Sequence, residues 1–143
     1  MKKNVFFILF CFFVSSFAFS QSNEDRAVAM FKRITDRANI WWENNHSFVF
    51  DFSFTPRTNS NIQIISLVIA QQMRINTVMF QNMAKRKELT EEGIYFFYIE
   101  QTKLLTYLQE TIGNNTEGKN ILKALSEEMN KVAVQACLLL IEQ

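Results

Sequence analysis

The sequence predicts an all-α fold: a four-helix bundle with an extended, Phe-rich segment between its first and second helices. Three observations predict it. Glycine occurs three times and proline once in 143 residues, too rarely for a turn-rich β fold. Four segments of about 22 to 27 residues carry apolar side chains at helical spacing. Residues that cap helices stand at several of their ends.

The amino-terminal stretch precedes these segments. Lys2 and Lys3 form a positive start, Val5 to Phe19 is apolar except for Ser15 and Ser16, and Ala18-Phe19-Ser20 presents small residues at cleavage-site spacing. This is the pattern of a secretory signal peptide with cleavage after Ser20. The run falls short of the roughly 20 residues that a spanning helix needs. Cys11 follows the bulky Phe10, which does not suit a lipoprotein signal. The pattern resembles signal peptides of Gram-negative bacteria, so the expected location is periplasmic or secreted, with no stable membrane insertion after cleavage.

Residues 21–143 then form one helical domain of 123 residues with 13 basic and 14 acidic side chains. A balance so close to neutral argues against nucleic acid as a partner. Cys137 is the only cysteine left, so no internal disulfide is expected. It reads either as a buried small apolar residue or as half of an intermolecular disulfide.

The first helix is expected over Asn23 to Asn44. Ser22 with Asp25 resembles a capping box. Ala27, Val28, Phe31, Ile34, Ala38 and Trp42 share one stripe, with Lys32, Arg33, Asp36 and Arg37 opposite and Trp41 at the stripe's edge. Asn44 to Ser47 breaks the pattern. Phe48, Phe50, Phe52 and Phe54 then alternate with Val49, Asp51 and Ser53, a period of two that sets all four rings on one side of an extended segment. Two readings stay open: a strap over the end of the bundle, or an edge strand that pairs with a partner chain.

Ser60 with Gln63 suggests the start of the second helix, which runs to about Lys87. Its β-branched first half, Ile62 to Ala70, leaves a strand as the alternative. Within this helix Gln72 and Asn76 share an arc with Ile65, Ile69 and Met79. Thr90 caps the third helix, with Leu89 and Ile94 as a hydrophobic staple. Its stripe is Ile94, Phe97, Tyr98, Leu104, Leu105, Leu108 and Ile112, with Gln101 at the centre, and Gly113 ends it. After Asn114 to Thr116 comes the fourth helix, with Ile121, Leu122, Leu125, Met129, Val132, Ala136, Leu139 and Leu140 on one side. Short connections between the last three helices predict antiparallel neighbours.

No catalytic constellation emerges. His46 is the only histidine, so no His pair at ligand spacing exists. Glu91-Glu92 and Glu127-Glu128 are adjacent pairs, which do not face one another on a helix. No cofactor, metal or catalytic set is therefore expected. Two features remain. Gln72, Asn76 and Gln101 form a candidate interior polar cluster, either bonding each other and the backbone or lining a pocket between the second and third helices. The second feature is apolar surface beyond what one core uses: Trp41, Phe48, Phe50, Phe52, Phe54, Tyr95, Phe96, Leu138 and Ile141. Intramolecular segments or a protein partner, including self-association, would cover it.

Leu105-Thr106-Tyr107-Leu108-Gln109 matches an LTxxQ motif, and Leu89-Thr90-Glu91-Glu92-Gly93 departs from it only in its last residue. In this short stretch the chain resembles periplasmic chaperones of the Spy/CpxP group. That resemblance implies a small, exported, all-helical holdase. The composite expectation is an exported, non-enzymatic helical protein that binds another protein, as an inhibitor, an immunity-type protein or an envelope-assembly component. A holdase-like chaperone and a small-molecule binder with an amide-lined interior are the alternatives.

Overall fold

The computed structural model describes residues 22–45 and 58–143. Residues 1–21, His46 and the four alternating Phe residues lie outside the described residues. What is described is all-α: four helices in bundle-like packing, α1 (Asn23–Asn45), α2 (Asn59–Lys85), α3 (Glu91–Ile112) and α4 (Thr116–Glu142). Residues 62–70 are helical throughout. Their β-branched content does not make a strand, because one side of the segment is buried at helical spacing and the run continues into Met73 and Phe80.

Local chemistry sets the ends. The Asp25 amide donates to Ser22 Oγ at 3.1 Å, the Gly93 amide to Thr90 Oγ1 at 3.1 Å, and the Gly118 amide to Asn115 Oδ1 at 2.8 Å. Each satisfies one of the amides that a helix start leaves without a partner. The cap of α2 is Thr58, whose side chain accepts from the Asn61 amide; Ser60, expected in that role, lies inside the helix. Helix α2 closes in a Schellman-type turn: the Glu88 amide donates to Met83 O at 2.9 Å and the Lys87 amide to Ala84 O at 3.0 Å. That turn needs a left-handed residue, and Lys87 supplies it at φ 57°. At the end of α3 the same φ falls to Gly113, where no Cβ opposes it.

The helices alternate in direction. Phe80 and Gln72 of α2 meet Phe97 and Gln101 of α3 in reverse order. Gln143 Nε2, at the end of α4, donates to Leu89 O beside the start of α3. Arg33, Arg37 and Trp41 of α1 meet Glu91, Glu92 and Lys103 in ascending order, so α1 runs with α3. The packing is not a square. α4 touches all three other helices, α3 touches α1, α2 and α4, and α1 and α2 do not touch. α3 and α4 therefore form a central pair, with α1 and α2 on opposite flanks.

This arrangement explains two features of the sequence. The last turns of α4 are apolar all round because three helices surround them: Val132, Ala133, Ala136 and Cys137 are buried, and Leu138, Leu139, Leu140 and Ile141 pack partly buried against the core. Tyr95 is likewise buried at 8% exposure, with the Arg37 guanidinium 4.1 Å above its ring. It belongs to the α1–α3 contact and not to the outer surface. Around the central pair lie Ile34, Ile69, Met73, Phe80, Ile94 and Leu108, each almost fully enclosed. The Phe80 and Phe97 rings meet edge to face at 5.3 Å. Gly118 brings α4 against the end of α3: a Cβ there would stand 2.8 Å from Ile112 Cγ1.

Two faces are rotated from the sequence expectation. Val28 was placed on the core stripe of α1 and is 56% exposed; Ala27, Ile34 and Ala38 alone make that stripe's buried line. On α2 the buried line is Ile62, Ile69, Met73 and Phe80, about 70° from the arc of Ile65, Gln72, Asn76 and Met79 at 100° per residue.

Candidate functional site

The rotation of α2 leaves a second apolar side facing outward. Ile64, Leu67, Val68, Ile75, Val78 and Met79 are exposed, and Phe96 of α3 is exposed beside them. Among the described residues the other large exposed apolar side chains are Val28 and Ile40 on α1, three turns apart. The surface is continuous with a groove of about 410 Å³ between α2 and α3, whose lining includes Gln72, Ile75, Asn76, Met79, Phe96 and Gln101. Ile75, Val78 and Met79 also line a shallow depression that ends at Lys85 and Arg86.

The three amides gather at this groove. Gln101 is 1% exposed, and its Nε2 donates to Gln72 Oε1 at 3.2 Å. Asn76 Nδ2 donates to the Gln72 carbonyl one turn back, at 2.8 Å. Gln101 Oε1 is buried without a hydrogen-bond partner. A buried acceptor of this kind costs on the order of 1–3 kcal/mol. Its amide nitrogen is nevertheless paired, which holds the register between α2 and α3.

Of the other residues singled out in the sequence, Trp41 is half-buried with Lys103 Nζ 5.1 Å from its ring centre. Leu138 and Ile141 are half-buried against the core. Phe96 alone among the described candidates stands out in solvent. The Phe48, Phe50, Phe52 and Phe54 segment lies outside the described residues.

A second groove, of about 330 Å³, lies between α1, α3 and α4 and includes Trp42, Tyr98, Thr102, Thr106, Ser126 and Asn130. Its hydroxyls are spent locally. Thr102, Thr106 and Ser126 each donate to the carbonyl one turn back, at 2.8 to 2.9 Å, and Tyr98 Oη donates to Asn130 Oδ1 at 3.5 Å. Burial holds the Tyr98 phenol above its usual pKa. The LTxxQ stretch lies here, in mid-helix: Leu105 and Leu108 are core residues, and Gln109 faces solvent.

Among the described residues no group of three or more His, Cys, Asp and Glu side chains could hold a metal ion. No described helix is long and apolar enough to cross a membrane. Cys137 is free and fully buried, so an intermolecular disulfide would require the core to open. Its thiol is pushed up to about 12, chiefly by burial and further by the Glu91 carboxylate, against the opposing pull of Arg33. A thiol held this far up is a poor nucleophile at neutral pH.

The outward stripe of α2 is the feature that sequence reading missed. The signal was available. Ile64, Val68, Gln71, Ile75, Val78 and Asn82 follow one another at steps of four and three, a heptad spacing. It was masked by the second apolar line on the same helix. Compared with known proteins, the chain matches no family model, no curated protein and no solved structure.

Proposed function

We propose that this protein works by binding another protein, through the outward face of α2 and the adjoining Phe96. The observation that carries this reading is the contiguity of that face: seven large apolar side chains between 42% and 70% exposed, along one helix and its neighbour. Such patches on a small chain mark interaction surfaces. The Lys85–Arg86 end supplies a polar border to an apolar centre, which is how protein interfaces are built. The signal-like residues 1–20 support an exported form, periplasmic or secreted, in which an inhibitor, an immunity-type protein or an envelope-assembly component would meet its partner.

The groove between α2 and α3 supports a second reading, in which a small ligand lies against Gln72 and Asn76 at its lining. The chaperone alternative draws support from the exposed apolar face and little from the LTxxQ stretch, whose leucines serve the core.

Affinity capture from the native envelope, followed by mass spectrometry, tests the reading. The wild-type protein is expected to retain one stoichiometric partner, and the Ile75→Glu, Val78→Glu double variant to lose it while keeping its helix content. Equal capture by both proteins would contradict an interface on α2. A broad set of unfolded clients would favour the chaperone.

A further inference from the structure

We propose that the occupant of the α2 face is a second copy of this chain, seated helix against helix. The inference rests on the reading of that face as a docking surface and names its partner. Ile64, Val68, Gln71, Ile75, Val78 and Asn82 form an unbroken seam at a 3.5-residue period, all on the side of α2 opposite Ile62, Ile69, Met73 and Phe80. A stripe of that period is complementary to another helix with the same spacing, because each side chain enters a gap between four on its partner. Among the described residues α2 alone presents one. The large exposed apolar groups elsewhere are Val28, Ile40 and Phe96, and Phe96 borders the same seam. The face therefore complements itself, as a two-fold interface requires.

Area and charge agree. At 42–70% exposure, the seven side chains offer at most roughly 700 Å² per chain, so two copies would bury up to roughly 1,400 Å², which reaches the range of stable, specific interfaces. Helix α2 carries no acidic residue; Arg74 lies beside the seam, and Lys85 and Arg86 stand at its end. These few basic groups sit at the margin of the apolar stripe, where water still reaches them and screens their repulsion. Gln71 and Asn82 are the polar members, and polar groups at such positions fix register in paired helices.

The chain's own segment between α1 and α2 is too short for the task. Residues 46–57 and the bonds flanking them reach at most about 45 Å. Val78 lies 20 residues beyond Thr58, about 30 Å along α2, a distance the segment must return to meet Thr58. About 15 Å would remain for the passage from α1 to the far side of α2. The central pair stands between them, so that passage crosses two interhelical spacings, about 16–20 Å. The Val78–Asn82 end of the seam is beyond that segment's reach.

Sedimentation equilibrium of the purified protein, with its amino terminus identified, tests the proposal. Wild-type protein is expected at the mass of two chains. Ile75→Glu with Val78→Glu is expected to weaken association by at least about 100-fold, because each copy would bury two unpaired carboxylates. Ile75→Gln with Val78→Gln serves as a neutral second variant, expected to weaken it by at least about tenfold. Both pairs replace exposed side chains, and unchanged circular dichroism checks the fold. A wild-type protein that sediments as a single chain at every concentration overturns the dimer, as does a dimer indifferent to both variants. If the wild type is a single chain yet the Glu pair abolishes capture of a different protein, the second copy is wrong and the docking surface stands. If neither association nor capture responds, both readings fall.

Discussion

Cys137 and Gln101 show how single buried groups shape the behaviour of this bundle. The Cys137 thiol is shifted from the usual 9.0 to about 12. The folded chain keeps that proton over a range where the unfolded chain has released it, so stability is complete below pH 9 and falls as pH rises toward 12. Tyr98, also raised by burial, acts in the same direction. Urea unfolding of wild type and Cys137→Ala over this range isolates the thiol: the wild type should lose stability relative to the variant above pH 9, and a constant difference would refute the assignment. Gln101 poses the opposite case. Its Oε1 is an unpaired acceptor in a sealed site, while its partner Gln72 is exposed and can turn to water. Gln101→Leu is expected to leave stability unchanged or to raise it by up to about 2 kcal/mol, measured by urea unfolding. A loss of stability would mean that the amide pair carries the α2–α3 contact. The amides were legible in the sequence as a group, since their spacing set them on facing stripes. Which one was buried depended on the rotation of α2, which their spacing does not encode.

At the scale of elements, end chemistry was easier to read than face orientation. Thr90, Gly113 and the Leu89–Ile94 staple were plain in the sequence, and Leu89 and Ile94 are buried together at the start of α3. These signals are local: an oxygen three residues before an amide, or a residue without a Cβ at a left-handed turn. The start of α2 was displaced by two residues because Thr58 and Ser60 offer the same chemistry in neighbouring positions. The face of α2 was misjudged for a different reason. With Ile62, Ile69 and Phe80 on one side and Ile64, Ile75 and Val78 on the other, the helix has no single apolar direction, and periodicity alone cannot say which side meets the core. The surplus apolar character of α4 had the converse cause. It reflects enclosure by three helices, which depends on packing and not on anything local to α4.

The whole molecule is a central α3–α4 pair flanked on opposite sides by α1 and α2. Helix number and the antiparallel order of the last three helices followed from the sequence, because they depend on helix length and loop length. The missing α1–α2 contact did not, since nothing in either helix marks its distance from the other. That gap gives α2 its open outer face, and the docking account turns on it. A photo-crosslinking residue at Val78, with one at Ile40 on α1 as the control, tests it most directly in the cell that produces the protein. Both positions are more than half exposed, so they differ in their surroundings and not in access. A discrete adduct of defined mass is expected from Val78 and none from Ile40. No adduct from Val78, or the same adducts from both positions, would contradict it.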